Sequence, residues 1–108
     1  MNITIDGQEI VYTSAGSGEA VVFLHGWGSN RKLFDPLINA AAAKYTAIAP
    51  DLPGFGDSAE PKEPWDVGRY ADLVIAFLRA LGIKKAVLIG HSFGGRLIFK
   101  LVEKGNLP

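Results

Sequence analysis

Ala86-Val87-Leu88-Ile89-Gly90-His91-Ser92-Phe93-Gly94-Gly95 is the stretch on which the reading of this chain turns. Ala86 to Ile89 are apolar with no polar alternation, the pattern of a strand covered on both faces. From Phe93 to Lys104, Leu97, Ile98, Leu101 and Val102 fall on one helical stripe, which Gly105 is expected to end. Between strand and helix stands Gly90-His91-Ser92-Phe93-Gly94, a match to G-x-S-x-G in the setting that gives the motif mechanical meaning. A turn this tight holds its central residue in a strained conformation and lifts the side chain above the sheet, and glycine two places before and after leaves the chain room to fold back. Ser92 is therefore the candidate nucleophile. The free N–H groups and positive dipole end of the helix starting at Phe93 face the same place, which suits a developing oxyanion. The plainer reading, glycines that only make a tight turn, has to be weighed against the rest of the chain.

Working outward, Asp66 is placed to cap a helix that carries Val67, Tyr70, Val74, Phe77, Leu78 and Leu81 on one face and stops at Gly82. Before it, Pro50 to Pro64 holds four prolines and two glycines and reads as irregular loop. Two further apolar runs, Ala20 to Leu24 and Tyr45 to Ala49, read as buried strands. Between them Asp35-Pro36 is expected to supply the N-cap and first position of a helix over Leu37 to Lys44. At the start, Ile3 to Asp6 and Glu9 to Thr13 are β-rich and meet at Asp6-Gly7, a strong hairpin signal. The expected fold is α/β: a mostly parallel sheet with an N-terminal antiparallel hairpin and helices on both faces. Residues 1–108 show no internal repeat and no linker, so they read as part of one domain.

With 48% apolar residues, and eleven basic side chains against eleven acidic, the chain has the composition of a globular protein and no electrostatic footprint for nucleic acid or an anionic membrane. The absence of cysteine excludes disulfides and thiolate metal sites. The N-terminus lacks the basic start and apolar run of a signal peptide, and no stretch reaches the roughly 20 apolar residues of a membrane span, so a cytoplasmic location is expected.

Two other glycine motifs fail on chemistry. Gly90 to Gly95 has the glycine spacing of a phosphate-binding loop, but Arg96-Leu97 stands where lysine and a hydroxyl are needed. Gly16-Ser17-Gly18 precedes a strand, whereas a dinucleotide fingerprint opens a helix.

Leu24-His25-Gly26-Trp27-Gly28, Asp51-Leu52-Pro53-Gly54-Phe55-Gly56-Asp57-Ser58 and Gly90-His91-Ser92-Phe93-Gly94-Gly95, in this order and spacing, resemble the α/β-hydrolase superfamily. The resemblance runs from near the N-terminus to the end of the chain and implies a truncated α/β-hydrolase core. It implies that His25-Gly26-Trp27 follows the third strand and gives the backbone N–H of Trp27 to an oxyanion hole, with the N–H of Phe93 as second donor. The His25 ring is expected only to brace that loop. The Asp51 to Ser58 loop is expected to pack beside the site, with Asp51 structural. The resemblance further implies cofactor-free acyl transfer on a small carboxylic ester or thioester, since relatives that open epoxides or cleave carbon–halogen bonds carry aspartate where Ser92 stands. Trp27, Phe55 and Phe93 are candidates for an apolar acyl pocket.

The acid and histidine of such a triad follow the nucleophile in chain order. Sixteen residues follow Ser92, with no histidine, no aspartate and Glu103 as the sole acid, expected on the solvent side of its helix. His91 adjoins Ser92, but neighbouring side chains at such a turn point apart, which makes it a poor base. The chain alone is therefore expected to be catalytically incomplete and inactive. The alternative is a non-catalytic binding or interaction module on the same scaffold. With no neighbour beyond it, the strand Ala86 to Ile89 is expected to form an open apolar edge, suited to self-association or to a complementing chain.

Overall fold

The computed structural model describes residues 1–104. The expected stop at Gly105 lies outside them. A hairpin, β1 (Asn2–Ile5) and β2 (Gln8–Ala15), opens the chain. Its tip has positive φ at both Asp6 (50°) and Gly7 (79°), the mirror-image turn whose twist matches that of the strands, and it fixes the register Ile5 to Gln8. There follow β3 (Ala20–Leu24), a short 3₁₀ turn (Arg31–Phe34), α1 (Asp35–Ala41), β4 (Thr46–Pro50), α2 (Val67–Ala80), β5 (Ala86–Gly90) and α3 (Phe93–Lys104).

The sheet order is β1-β2-β4-β3-β5. The hairpin joins it antiparallel through β2 and β4, and β3 runs parallel to both β4 and β5. The unbroken apolar run of β3 follows from this position. Its alternate side chains serve two cores: Val22 and Leu24 pack with α2 and α3, while Val21 and Phe23 meet Phe34 and Ile38 on the α1 side. Tyr70, Ala71, Val74, Phe77 and Leu78 of α2 and Leu97 and Leu101 of α3 supply the larger core.

Two expectations need correction. Asp35 does not cap α1. The 3₁₀ turn runs directly into the helix, so Asp35 is already in a helical conformation (φ −49°, ψ −46°), and an N-cap requires an extended one. Asn30 caps instead, one turn earlier, accepting from the Lys32 N–H at 2.9 Å, and α1 ends at Ala41. The second correction concerns β5, which has one covered face. Ala86 and Leu88 pack against the core, but Val87 and Ile89 are 54% and 40% exposed, because the cluster on the α1 side gathers residues of β3 and β4 and none of β5. Among the described residues β5 forms one edge of the sheet, with β1 at the other.

The α2 cap is as expected, with Asp66 accepting from the Arg69 N–H at 2.9 Å and Gly82 at φ 73° just beyond the end. No helix among the described residues is long and apolar enough to cross a membrane.

Candidate active site

The path of the chain places the site. From β3 the chain crosses to β4 on one side by way of α1, and from β4 it crosses back past β3 to β5 by way of α2. The crossovers reverse direction at β3, so the loops at the carboxyl ends of β3 and β5 flank the topological switch point, the usual ligand position in an open α/β sheet. His25-Gly26-Trp27 leaves the end of β3 and His91-Ser92 leaves the end of β5. The two loops are joined where the His91 N–H donates to the Leu24 carbonyl at 3.0 Å.

Ser92 has φ 57° and is exposed; apart from Asp6 in the hairpin tip, it is the one non-glycine described residue with positive φ. A left-handed conformation costs a non-glycine residue roughly 1–2 kcal/mol, so the surroundings must enforce it. They do so by close backbone packing. A Cβ at Gly90 would lie 2.4 Å from the Gly94 carbonyl carbon, and one at Gly94 would lie 2.0 Å from the Leu24 oxygen. Only glycine permits strand, turn and helix to approach this closely.

Gly26 faces the serine from the other side, where a Cβ would be 3.1 Å from both the Ser92 Cβ and the His91 oxygen. Gly26 to Ser29 form a turn closed by the Ser29 N–H to the Gly26 carbonyl at 3.1 Å, with Gly28 at φ 75° in the position of a type II turn that demands it. Among the described residues neither the Trp27 N–H nor the Phe93 N–H donates to a protein acceptor. The first is at a free turn position and the second opens α3.

His25 is fully buried and both its ring nitrogens are engaged. The Leu52 N–H donates to Nε2 at 2.9 Å, so Nδ1 carries the proton and donates to the Gly26 carbonyl at 2.7 Å. Burial pushes the imidazole below its ordinary value of 6.5, and the Gly26 carbonyl and Asp51 charge oppose this only in part. A ring so occupied is a brace between two loops, as the sequence suggests. A stability consequence follows from the direction of the shift. The unfolded chain takes up the His25 proton more readily than the folded one, so the contribution is complete above about pH 6.5 and is lost as pH falls from there through the lowered folded-state value. Denaturant titrations of the wild-type protein should show this loss of stability on acidification. His25→Asn should flatten that part of the profile, and an unchanged slope would exclude His25 as its source.

Asp51 is likewise buried and structural in its contacts. Its carboxylate accepts from the Arg31 N–H at 2.7 Å and the Asp57 N–H at 2.9 Å and pairs with the Arg31 guanidinium. Arg31 also bonds Thr13 Oγ1 at 3.1 Å and Asp57 at 3.0 Å, binding the hairpin, the 3₁₀ turn and the loop after β4 into one unit. Burial would lower the guanidinium pKa, but the bonds and charges of Asp57 and Asp51 outweigh it and raise it. A Cβ at Gly56 would lie 2.3 Å from the Asp51 carboxyl carbon, so the loop is wrapped around this carboxylate. Nothing in the spacing of Arg31 announces its role, which spans twenty residues to Asp51.

The aromatic residues gather differently from expectation. The Trp27 ring makes edge contacts with Phe55 (4.9 Å), Phe93 (5.3 Å) and Tyr70 (6.2 Å). The adjoining cleft, of about 410 Å³, is walled by Trp27, Phe55, Trp65 and Tyr70 and by the segment carrying Glu60, Lys62 and Glu63, while Phe93 backs the cluster and does not line it. Sequence reasoning missed Trp65 and Tyr70, which reach the cleft because the Tyr70 hydroxyl donates to the Pro53 carbonyl at 3.0 Å and the Trp65 ring packs on Tyr70 at 5.3 Å. His91 is exposed beside Ser92, and Glu103 is exposed on α3 with Lys100 at 3.1 Å.

Comparison with known proteins gives the family. The family model for the alpha/beta hydrolase fold matches residues 19–108, and the chain belongs to that family. It is 40% identical over 95 residues to a soluble epoxide hydrolase of Corynebacterium sp. strain C12, a match covering 88% of this chain and 33% of that protein. It is 37% identical over 102 residues to the non-heme chloroperoxidase CPO-A1 of Kitasatospora aureofaciens, covering 94% and 37%. The crystal structure of an E-2-(acetamidomethylene)succinate hydrolase superposes with a TM-score of 0.93 at 31% identity, over 99% of this chain and 40% of that one. The chain thus spans about a third of the length of the curated relatives it matches.

Proposed function

We propose that this chain carries the nucleophile and oxyanion hole of a serine hydrolase that acts on carboxylic esters or thioesters by acyl transfer. The observation that carries the reading is Ser92 at φ 57°, an exposed residue on a turn whose close packing requires glycine at 90 and 94, with the N–H groups of Phe93 and of Trp27 in the facing loop free of protein acceptors among the described residues. In this reading Ser92 Oγ attacks the carbonyl carbon, the N–H groups of Trp27 and Phe93 receive the oxyanion, and water later releases the acyl group.

The likeness to an epoxide hydrolase does not favour epoxide opening here. A serine alkylated by an epoxide would be an ether, which water does not cleave under these conditions, so the site would be spent after one turnover. A serine ester returns readily to the free hydroxyl. The chemistry of the residue at position 92 therefore favours acyl groups, and the aromatic wall of the cleft beside Trp27 is where we place such a group.

The chain's two histidines are His25, whose ring is fully engaged, and His91, adjacent to the nucleophile. We therefore place the general base and its acid outside residues 1–108, in a larger hydrolase domain of which these residues form the N-terminal part. A strand following α3 by the usual right-handed crossover would take the same turn as β4-α2-β5 and pair with the open edge of β5. A fluorophosphonate probe and a short-chain nitrophenyl ester test the reading. The full-length protein is expected to be labelled and to release nitrophenol, and the 108-residue form to turn over near background. A full-length protein that does neither is a binding module on this scaffold.

A further inference from the structure

Resting on the acyl-transfer reading, we infer that His25 is a positioning residue for the oxyanion: it sets the direction of the Trp27 N–H by holding the carbonyl of the peptide that precedes it. The Gly26 carbonyl and the Trp27 N–H belong to one trans peptide group and point in opposite directions. Whatever fixes the carbonyl fixes the amide. Two donors hold that carbonyl, His25 Nδ1 at 2.7 Å from within and the Ser29 N–H at 3.1 Å from the turn. The turn bond alone leaves the peptide free to rock about the Gly26 and Trp27 torsions, and Gly26, lacking a side chain, resists little. The imidazole removes that freedom, because its own orientation is fixed by the Leu52 N–H at Nε2 and by complete burial. The ring is in edge contact with Phe55 at 5.6 Å, and Phe55 in turn touches Trp27.

The same arrangement also strengthens the donor. A carbonyl that accepts two hydrogen bonds polarises its peptide group, so the N–H at the other end carries more positive charge toward the oxyanion. Leu52 N–H supplies the direction of the chain of bonds: Leu52 N–H to His25 Nε2, His25 Nδ1–H to Gly26 C=O, and Trp27 N–H to the site. The loop after β4, which offers no catalytic group of its own, thereby helps to aim the oxyanion hole.

Two substitutions separate the two bonds in the full-length protein. His25→Asn keeps an N–H near the Nδ1 position for the Gly26 carbonyl and loses the acceptor for Leu52. His25→Gln keeps an oxygen near Nε2 for Leu52 and loses the donor to Gly26. Both should lower the melting temperature. His25→Gln is expected to lower kcat for a nitrophenyl ester about ten- to a hundredfold with KM within about twofold, short of the roughly 10²–10³ of a donor removed outright. His25→Asn should restore most of that loss. In a Trp27→Pro background, where the N–H no longer exists, His25→Gln should lower kcat no further. Equal kcat losses for Asn and Gln, or a Gln penalty that persists beside Trp27→Pro, would show that His25 only stabilises the fold. Should Ser92→Ala retain full turnover, the acyl-transfer reading itself has failed. The positioning claim is then decided by the crystal structure of His25→Gln: a rotated Gly26–Trp27 peptide upholds it and an unmoved one overturns it.

Discussion

Ser92→Gly is expected to abolish ester turnover by the full-length protein and at the same time to leave it about 1 kcal/mol more stable than Ser92→Ala. The two effects have one origin. At φ 57° any side chain with a Cβ carries the left-handed penalty, roughly 1–2 kcal/mol, and glycine does not. Part of the relief is returned through the greater freedom of glycine in the unfolded chain. Serine therefore occupies position 92 against the interest of stability, the pattern of a functional residue held under strain. Turnover should fall by about 10⁶, the scale on which loss of a serine nucleophile is felt, with residual rate left to the oxyanion donors and binding. Denaturant unfolding and ester kinetics on the same three proteins check the claim. Equal stability for Gly and Ala at this position would mean that the turn is not strained.

Gly94→Ala is the second large effect and acts on the backbone. The added Cβ would lie 2.0 Å from the Leu24 carbonyl oxygen, 2.7 Å from its carbon and 3.1 Å from the His25 oxygen. None of these atoms is the flexible end of a side chain, so relief requires α3 to withdraw from β3. That movement would uncover Leu97 and Leu101 and would shift the Ser92–Phe93 peptide away from the Gly26-Trp27 loop that faces it. The expected cost is about 3 kcal/mol, the upper range for overpacking a well-filled interior, with turnover lost even in the fraction that remains folded. Gly95→Ala is the control. No atom lies within 4 Å of a Cβ there, and its φ is not in the left-handed region, so alanine should be neutral or slightly stabilising. Similar behaviour of the two variants would refute the packing argument.

The turns of this protein were legible because their chemistry is local. Asp6-Gly7, Asp66 and Gly82 each occupy a conformation that suits their residue types, Gly90 and Gly94 stand where a side chain would clash, and the apolar runs of β3 and β4 report burial on both faces. The start of α1 is not legible in the same way, because Asp35-Pro36 is an equally good first turn for a helix already begun, and only the 3₁₀ segment before it tells the two apart. At the candidate site, the positions of Ser92, Gly26 and Trp27 follow from motif and strand order. The Arg31 clamp on Asp51 and Asp57 and the reach of Trp65 and Tyr70 into the cleft do not, because these contacts join segments far apart in the chain with no periodic signal between them. The two bonds of His25 belong to the same class. Its burial could be guessed from the motif, but its partners depend on where the loop after β4 comes to rest.

The most direct measurement is the intact mass of the full-length protein quenched during turnover of a slowly deacylating nitrophenyl ester, followed by peptide mapping. An acyl adduct of one group per chain on the peptide containing Ser92, formed with a matching burst of nitrophenol and missing in Ser92→Ala, is the predicted result. Turnover without any adduct, or with the adduct on another residue, would contradict the assignment of Ser92 as the nucleophile.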